Sequence, residues 1–487
     1  MTERSRSDDL GQTPRISRRT MLRATAGTAV VTAGFGAVQS VGATEVATGQ
    51  TVYVGSMAAM YAVDAATGEE IWSIPHESFS GSAPTVVDGV VYFGGSEINA
   101  VEAATGDEVW TSDPFGNGAF VSAPTVVDGI LYIGRATSIR PLFAIDAATG
   151  DEIWEFSEAD GRIDGAPRVV DGVVYVCSED GSLYALDADT GSLEWEFSDT
   201  EGAELRGSPS VIGDQVVFGT EATDLYAVAA ATGESNWANT DGLIGGRASP
   251  TVADGQLYVG NDPVIQQEGM LSSLGSDGTE SWAADAGGAG VTVAGDMVYT
   301  RGFFSGIRAF DRNSGGQLWH VEIPQVGAAL EVVPTVVGDS LYTVNSDLDE
   351  DEGFPVTTLA EFNANTGEKQ WELDNLGINL VSPTVVDDPT SGDSIDSRVL
   401  LGTLGHHDRV GSEHIRAPSG DGVPSDVSEP GDGTEPADDT GTGAGGIDDS
   451  DDADDDGPGF GIGAALAGIG GMAAVAARLG KRERKKY

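Results

Sequence analysis

Ser82-Ala83-Pro84-Thr85-Val86-Val87-Asp88-Gly89-Val90-Val91-Tyr92-Phe93-Gly94 is a short apolar run, a two-residue turn and a second apolar run. Asp-Gly between alternating apolar residues is a hairpin signal, because glycine supplies the positive φ that the turn needs. Ile98-Asn99-Ala100-Val101-Glu102 continues as a third run, Ala103-Ala104-Thr105-Gly106 turns the chain, and Asp107-Glu108-Val109-Trp110 is a fourth. Four short antiparallel strands in about 30 residues form a small sheet that cannot bury both faces alone, so copies must stack.

The copies are present. All eight tryptophans, Trp72, Trp110, Trp154, Trp195, Trp237, Trp282, Trp319 and Trp371, occupy the same place in successive units, with gaps of 38, 44, 41, 42, 45, 37 and 52 residues. A period near 40 with strand content predicts an all-β propeller of four-stranded blades. Ala62-Val63-Asp64-Ala65-Ala66-Thr67-Gly68, Ala144-Ile145-Asp146-Ala147-Ala148-Thr149-Gly150 and Ala185-Leu186-Asp187-Ala188-Asp189-Thr190-Gly191 each precede their tryptophan by a fixed distance. The aspartate suits an Asx-type turn, the glycine a left-handed position, and the indole a wedge between blades. The unit before Trp282 carries Gly275-Ser276-Asp277-Gly278 instead, and the unit before Trp319 has Asp311-Arg312-Asn313-Ser314-Gly315 and no proline in its first strand. The first unit begins at Thr51-Val52-Tyr53-Val54-Gly55 without a Ser-Pro-Thr strand, and Ser382-Pro383-Thr384-Val385-Val386 supplies the missing piece after the last tryptophan. Val399-Leu400-Leu401-Gly402 then repeats a second strand. A ring closed by its C-terminal strand leaves no open edge. Eight blades are expected, with seven or nine as alternatives.

The pattern Ala-x-Asp-x-x-Thr-Gly-x-x-x-Trp resembles the tryptophan-docking repeat of pyrroloquinoline-quinone (PQQ) dehydrogenases. It is shared with non-enzymatic relatives such as the propeller lipoprotein of the bacterial outer-membrane barrel-assembly machine. The resemblance spans residues 50–404. In the enzymatic branch it implies calcium, quinone and a catalytic aspartate above the ring, together with a vicinal cysteine pair and long insertions between blades. This chain has one cysteine, Cys177, and short blades. No cofactor or catalytic residue is therefore expected, and PQQ with calcium enters only under the enzymatic alternative.

A formal charge of −53 and a pI near 4.1 exclude a general nucleic-acid binder, because phosphates are repelled. The acid is dispersed over nearly every loop and only Lys369 precedes the last seven residues among lysines. That composition suits a halophilic protein, since screening in concentrated salt makes long-range repulsion small. Cys177 lies in the apolar run Val173–Cys177 and reads as packing. There is no nucleophile elbow, phosphate loop or His-Glu-x-x-His zinc motif.

The two ends read as addresses rather than fold. In residues 1–43, Ser17-Arg18-Arg19-Thr20-Met21-Leu22-Arg23 resembles a twin-arginine export motif, with Arg18 and Arg19 as the signal, and an apolar Gly- and Ala-rich stretch follows. The propeller is assigned to 44–405. Residues 406–457 are dominated by Gly, Asp, Ser, Pro and Thr and predict a disordered acidic stalk. Residues 458–487 open on Pro458-Gly459-Phe460, continue as an apolar run and end in a basic tail. They resemble archaeal C-terminal sorting signals named for that motif, which implies cleavage and a lipid anchor. The alternative is a retained membrane helix with its basic end inside. Both place the bulk of the chain at the cell surface, exported.

Candidate sites are few. Asp347, Asp349 and Asp351 lie in a run resembling the start of a calcium loop, with Thr358 where a bidentate acid is needed; a solvated acidic loop is the simpler expectation. His406, His407, Asp408, Glu413 and His414 hold zinc-ligand residue types just past the ring. Arg206 and Arg247 each stand three residues before a first-strand proline in adjacent blades. They could hold an anion or carboxylate, or pair with loop acids. The segments between each tryptophan and the next first strand vary most and carry Phe79, Phe115, Phe120 and Phe156. The expected function is a monomeric interaction or ligand-binding scaffold for an unidentified surface partner. A PQQ/calcium-dependent alcohol or sugar dehydrogenase and an extracellular sensor are the alternatives.

Overall fold

The computed structural model describes residues 49–400 apart from 57–58, 76–82, 113–119, 121, 138–140, 241–248, 261–268, 287, 289, 303–305, 324–331, 349–354, 375, 377–380 and 387–398. The chain divides into two units, 1–419 and 420–487, and the second lies outside the described residues. So do the export signal at Arg18 and Arg19 and the sorting motif at Pro458, Gly459 and Phe460. Among the described residues no helix is long and apolar enough to cross a membrane.

Eight antiparallel sheets follow one another along the chain, which makes the ring eight-bladed rather than seven. Blade 2 shows the plan: Thr85–Val87, Val90–Gly94, Ile98–Glu102 and Glu108–Ser112 pair in sequence order. Blades 3, 4, 5, 6, 7 and 8 begin at Thr125–Val127, Arg168–Val170, Ser210–Ile212, Thr251–Ala253, Val291–Ala294 and Thr335–Val337. Blade 1 is assembled from both ends. Thr384–Val386 pairs antiparallel with Thr51–Gly55, placing Tyr53 opposite Thr384 and Val52 opposite Val385. Val399–Leu400 pairs with the far side of Thr384–Val386 and gives this sheet a fifth strand.

The tight turns behave as their residues dictate. Asp88 and Gly89 both have positive φ, 50° and 75°, as a type I′ hairpin requires. Between the third and fourth strands every blade has a register shift after the residue opposite tryptophan, as at Ala100/Val101 and Ala144/Ile145. It leaves a small residue beside the indole: Ala62 faces Trp72, Ala100 faces Trp110 and Ala185 faces Trp195. In the following turn Asp64 Oδ1 accepts the amides of Ala66 and Thr67 and the Thr67 hydroxyl. Bonds of this kind hold the corresponding Asp187 and Asp311 carboxyls below their ordinary range, and in the shorter turn of blade 6 the Thr279 amide and hydroxyl do the same for Asp277.

Blade joins blade in two layers. At the periphery each Trp Nε1–H donates to a carbonyl in the next blade's turn: Trp72 to Ala103, Trp110 to Ala147, Trp154 to Ala188, Trp195 to Ala230, Trp237 to Ser276, Trp282 to Arg312 and Trp319 to Ala364. Trp371 donates to Ala65 across 306 residues and closes the ring. The turn glycine lies flat on that same indole; a Cβ at Gly150 would stand 2.7 Å from Trp110. At the hub a first-strand hydroxyl donates to the backbone of the next first strand, as in Thr85 to Pro124, Thr125 to Pro167 and Thr384 to Pro84. Thr251 keeps this bond with Val291 although blade 7 lacks the proline, because the acceptor is a carbonyl. Blade 4 departs: buried Arg168 stands where the others have Thr or Ser.

Candidate functional site

The four-stranded plan sends all tight turns to one end of the ring. The other end receives the loop between second and third strands and the crossing segment that carries the chain to the next blade. In blades 2, 3 and 6 the crossing segment rests on the second strand of the blade it leaves. A Cβ on Gly94 would meet the Phe120 carbonyl at 2.7 Å, and one on Gly134 the Ile163 carbonyl at 2.1 Å. Glycine is needed there for close approach of two backbones.

Across blades 3, 4 and 5 these segments are tied together. The Glu179 amide donates to Arg162 O, the Leu205 amide to Ser178 O and the Glu221 amide to Glu204 O. Over this frame lies a network of two guanidinium groups and four carboxylates. Arg162 Nε donates to Glu179 Oε2 at 2.7 Å, and its Nη2 lies 3.5 Å from Asp164. Arg206 reaches Glu179 at 2.8 Å, Glu204 at 2.8 Å, Glu221 at 2.7 Å and Asp164 at 3.8 Å. Burial by itself raises Glu179, but its bond to Arg162 and the charges of Arg162 and Arg206 outweigh this and hold it below the usual range. Asp164 is pushed the other way: burial dominates, with Glu179 opposing ionisation and the arginines only partly compensating.

The arginine flagged in the sequence thus sits among acids, and the second guanidinium that the described structure brings to it is Arg162. Arg247 lies outside the described residues. So do Asp349, Asp351, His406, His407, Asp408, Glu413 and His414, while Asp347 lies in strand Ser340–Leu348 opposite Val356. Phe120 and Phe156 are not available to a partner. Phe120 packs edge-on against Phe143 at 5.9 Å and Phe156 against Tyr184 at 5.2 Å, both in the core. An aromatic in a variable segment is here a plug for its own blade. Phe79 and Phe115 lie outside the described residues. Cys177 is buried, and burial raises its thiol far above the reactive range.

A second residue of the peripheral dock was not anticipated. A tyrosine at the third position of the second strand tilts against the blade's tryptophan, as Tyr53–Trp72 and Tyr92–Trp110, with ring centroids 5.8 and 6.0 Å apart. Its hydroxyl donates to the same carbonyl as the indole: Tyr53 to Ala103, Tyr92 to Ala147, Tyr132 to Ala188 and Tyr175 to Ala230. Burial pushes the Tyr92 phenol up to about 12. The signal was present, since Tyr53, Tyr92, Tyr132, Tyr175, Tyr258, Tyr299 and Tyr342 recur, but their distance to tryptophan varies with the intervening loop.

A closed ring of four-stranded blades docked by a tryptophan to the next blade's turn defines a PQQ-like repeat propeller. The family model described as outer membrane protein assembly factor BamB matches residues 17–97, 94–261 and 267–395, and the chain belongs to that family. No curated protein matches the chain. Among solved structures, BamB from Moraxella catarrhalis is 16% identical, with 63% of this chain and 95% of that chain covered and a TM-score of 0.47. Quinohemoprotein alcohol dehydrogenase ADHIIG from Pseudomonas putida HK5 is 17% identical, with 62% and 68% covered and a TM-score of 0.49. The computationally designed Ika8 protein is 15% identical, with 67% and 98% covered and a TM-score of 0.49.

Proposed function

We propose that the chain is a non-catalytic, surface-held scaffold that presents the crossing-loop end of blades 4 and 5 to a protein partner. The observation that carries this is the Arg162–Glu179–Arg206 network, which fixes loops of adjacent blades into one charged surface. A preformed surface loses little conformational freedom on binding. Its arginines are saturated by carboxylates, so it offers a pattern of charge rather than a poised nucleophile or base. Charge patterning serves partner choice and association rate. The family's name, an assembly factor, supports a binding role of this kind. Cys177 is single and buried, which does not fit the vicinal cysteine pair that the enzymatic resemblance implies. Export by the Arg18-Arg19 signal and attachment through residues 458–487 belong to the same proposal.

The test is recovery of partners from surface extracts in high salt with wild type and Arg206→Glu. Specific protein partners lost in the variant support the scaffold. Dye-linked alcohol oxidation after addition of PQQ and calcium, with no partner recovered, would replace it with the dehydrogenase. Ligand capture by the ring with the stalk as a tether would favour the sensor.

A further inference from the structure

Arg135 follows Gly134 at the end of blade 3's second strand and forms an isolated antiparallel bridge with Phe120. Its amide donates to Pro141 O at 2.8 Å. The residue is 5% exposed, and its guanidinium carbon lies 5.6 Å from the centre of the fully buried Phe120 ring. Its Nε is buried without an acceptor. Among the described residues the guanidinium makes no hydrogen bond and no ion pair. Arg162 and Arg206, in contrast, share four carboxylates, and Arg312 takes the Tyr258 hydroxyl and Asp254. The lack is not scarcity, since the chain has 78 acidic residues for 25 basic ones. Nor does the repeat demand arginine at this place, where blades 1, 2, 4 and 5 carry Ser56, Gly95, Ser178 and Thr220.

A buried guanidinium is unfavourable without an anion, and aromatic contact satisfies none of its N–H donors. We infer that Arg135 is the receptor for a singly charged carboxylate at the junction of blades 2 and 3. The Phe120 ring lies over one side of the guanidinium, and the planar fork of guanidinium donors is chemically matched to a planar two-oxygen anion. A doubly charged phosphate meets twice the repulsion from a chain of charge −53. The inference requires no protein partner and stands apart from the scaffold proposal.

The experiment uses the full chain with carboxyl-labelled acetate as probe, titrated by NMR at constant ionic strength against chloride. Wild type is expected to show saturable line broadening, Arg135→Gln at least a tenfold weaker response and Arg135→Lys an intermediate one. In chloride alone, Arg135→Gln is expected to melt at or above wild type, because it removes an unpaired buried charge. Peptides with free or amidated C-termini then separate sources. A free terminus binding more tightly than acetate assigns a polypeptide end, and equal binding assigns a small acid. No saturable acetate response in wild type, or an unchanged response in Arg135→Gln, overturns the inference. So does a loss of stability in Arg135→Gln with no carboxylate dependence, which marks a purely structural contact.

Discussion

The two ends of the ring are built from the same strands and obey different rules. At the turn end all eight blades repeat one device, an indole donating to the neighbour's carbonyl while a glycine lies on its face. At the crossing-loop end the described side chains change from junction to junction: Phe120 plugs one, Ile163 another, and a charge network covers the next. Periodic residues hold the circle, and the aperiodic ones are free to differ because the circle does not depend on them. The halves therefore respond differently to substitution.

The largest expected effect is at the turn end. Trp110→Ala, removing an indole only 8% exposed, should cost about 3–5 kcal/mol in chemical denaturation, while the more exposed Trp237 should cost about half as much. Equal losses at both sites would break the link between burial and docking. Gly150→Ala places a methyl 2.7 Å from Trp110 at φ 77° and should cost roughly 2–4 kcal/mol. The part due to the clash should vanish in the Trp110→Ala background while the part due to the left-handed backbone remains, a coupling that a double-mutant cycle measures.

At the loop end Glu179→Gln should cost about 1–2 kcal/mol at neutral pH, since both arginines are partly solvated and screened. The folded carboxyl is held below its ordinary value of about 4.3. Its stabilisation is therefore complete above that value and lost as pH falls through the lower folded one. Wild type should lose stability over that acid window and Glu179→Gln should lose less; identical acid limbs would show that the network holds nothing. The smallest effect is expected for Tyr92→Phe, about 0.5–1.5 kcal/mol, because Trp110 still occupies the Ala147 carbonyl.

The fold was legible because its determinants are local and repeated. Asp88-Gly89, the Asp64-to-Gly68 turn and the tryptophan each declare a strand end within a few residues, and Ser382–Val386 declares closure by matching what the first unit lacks. The candidate site was legible only in part. Arg206 stood out by its place before a proline, but Glu179, Glu204 and Glu221 reach it from other loops with no period to betray them. Phe120 and Phe156 misled for a related reason: an aromatic in a variable segment gives no sign whether it faces solvent or the blade beneath. Val399–Leu400, expected as a second strand, joins the closing sheet as a fifth, because its partner's other edge is already taken by Thr51–Gly55.

Ring closure by eight equivalent indoles can be read from the eight indole N–H resonances in one hydrogen-exchange series by NMR. Protection is expected at every tryptophan, greatest at Trp72, Trp110 and Trp154, and present at Trp371, whose bond to Ala65 joins the chain's two ends. Trp371 exchanging at the rate of a free indole while the other seven stay protected would mean an open ring.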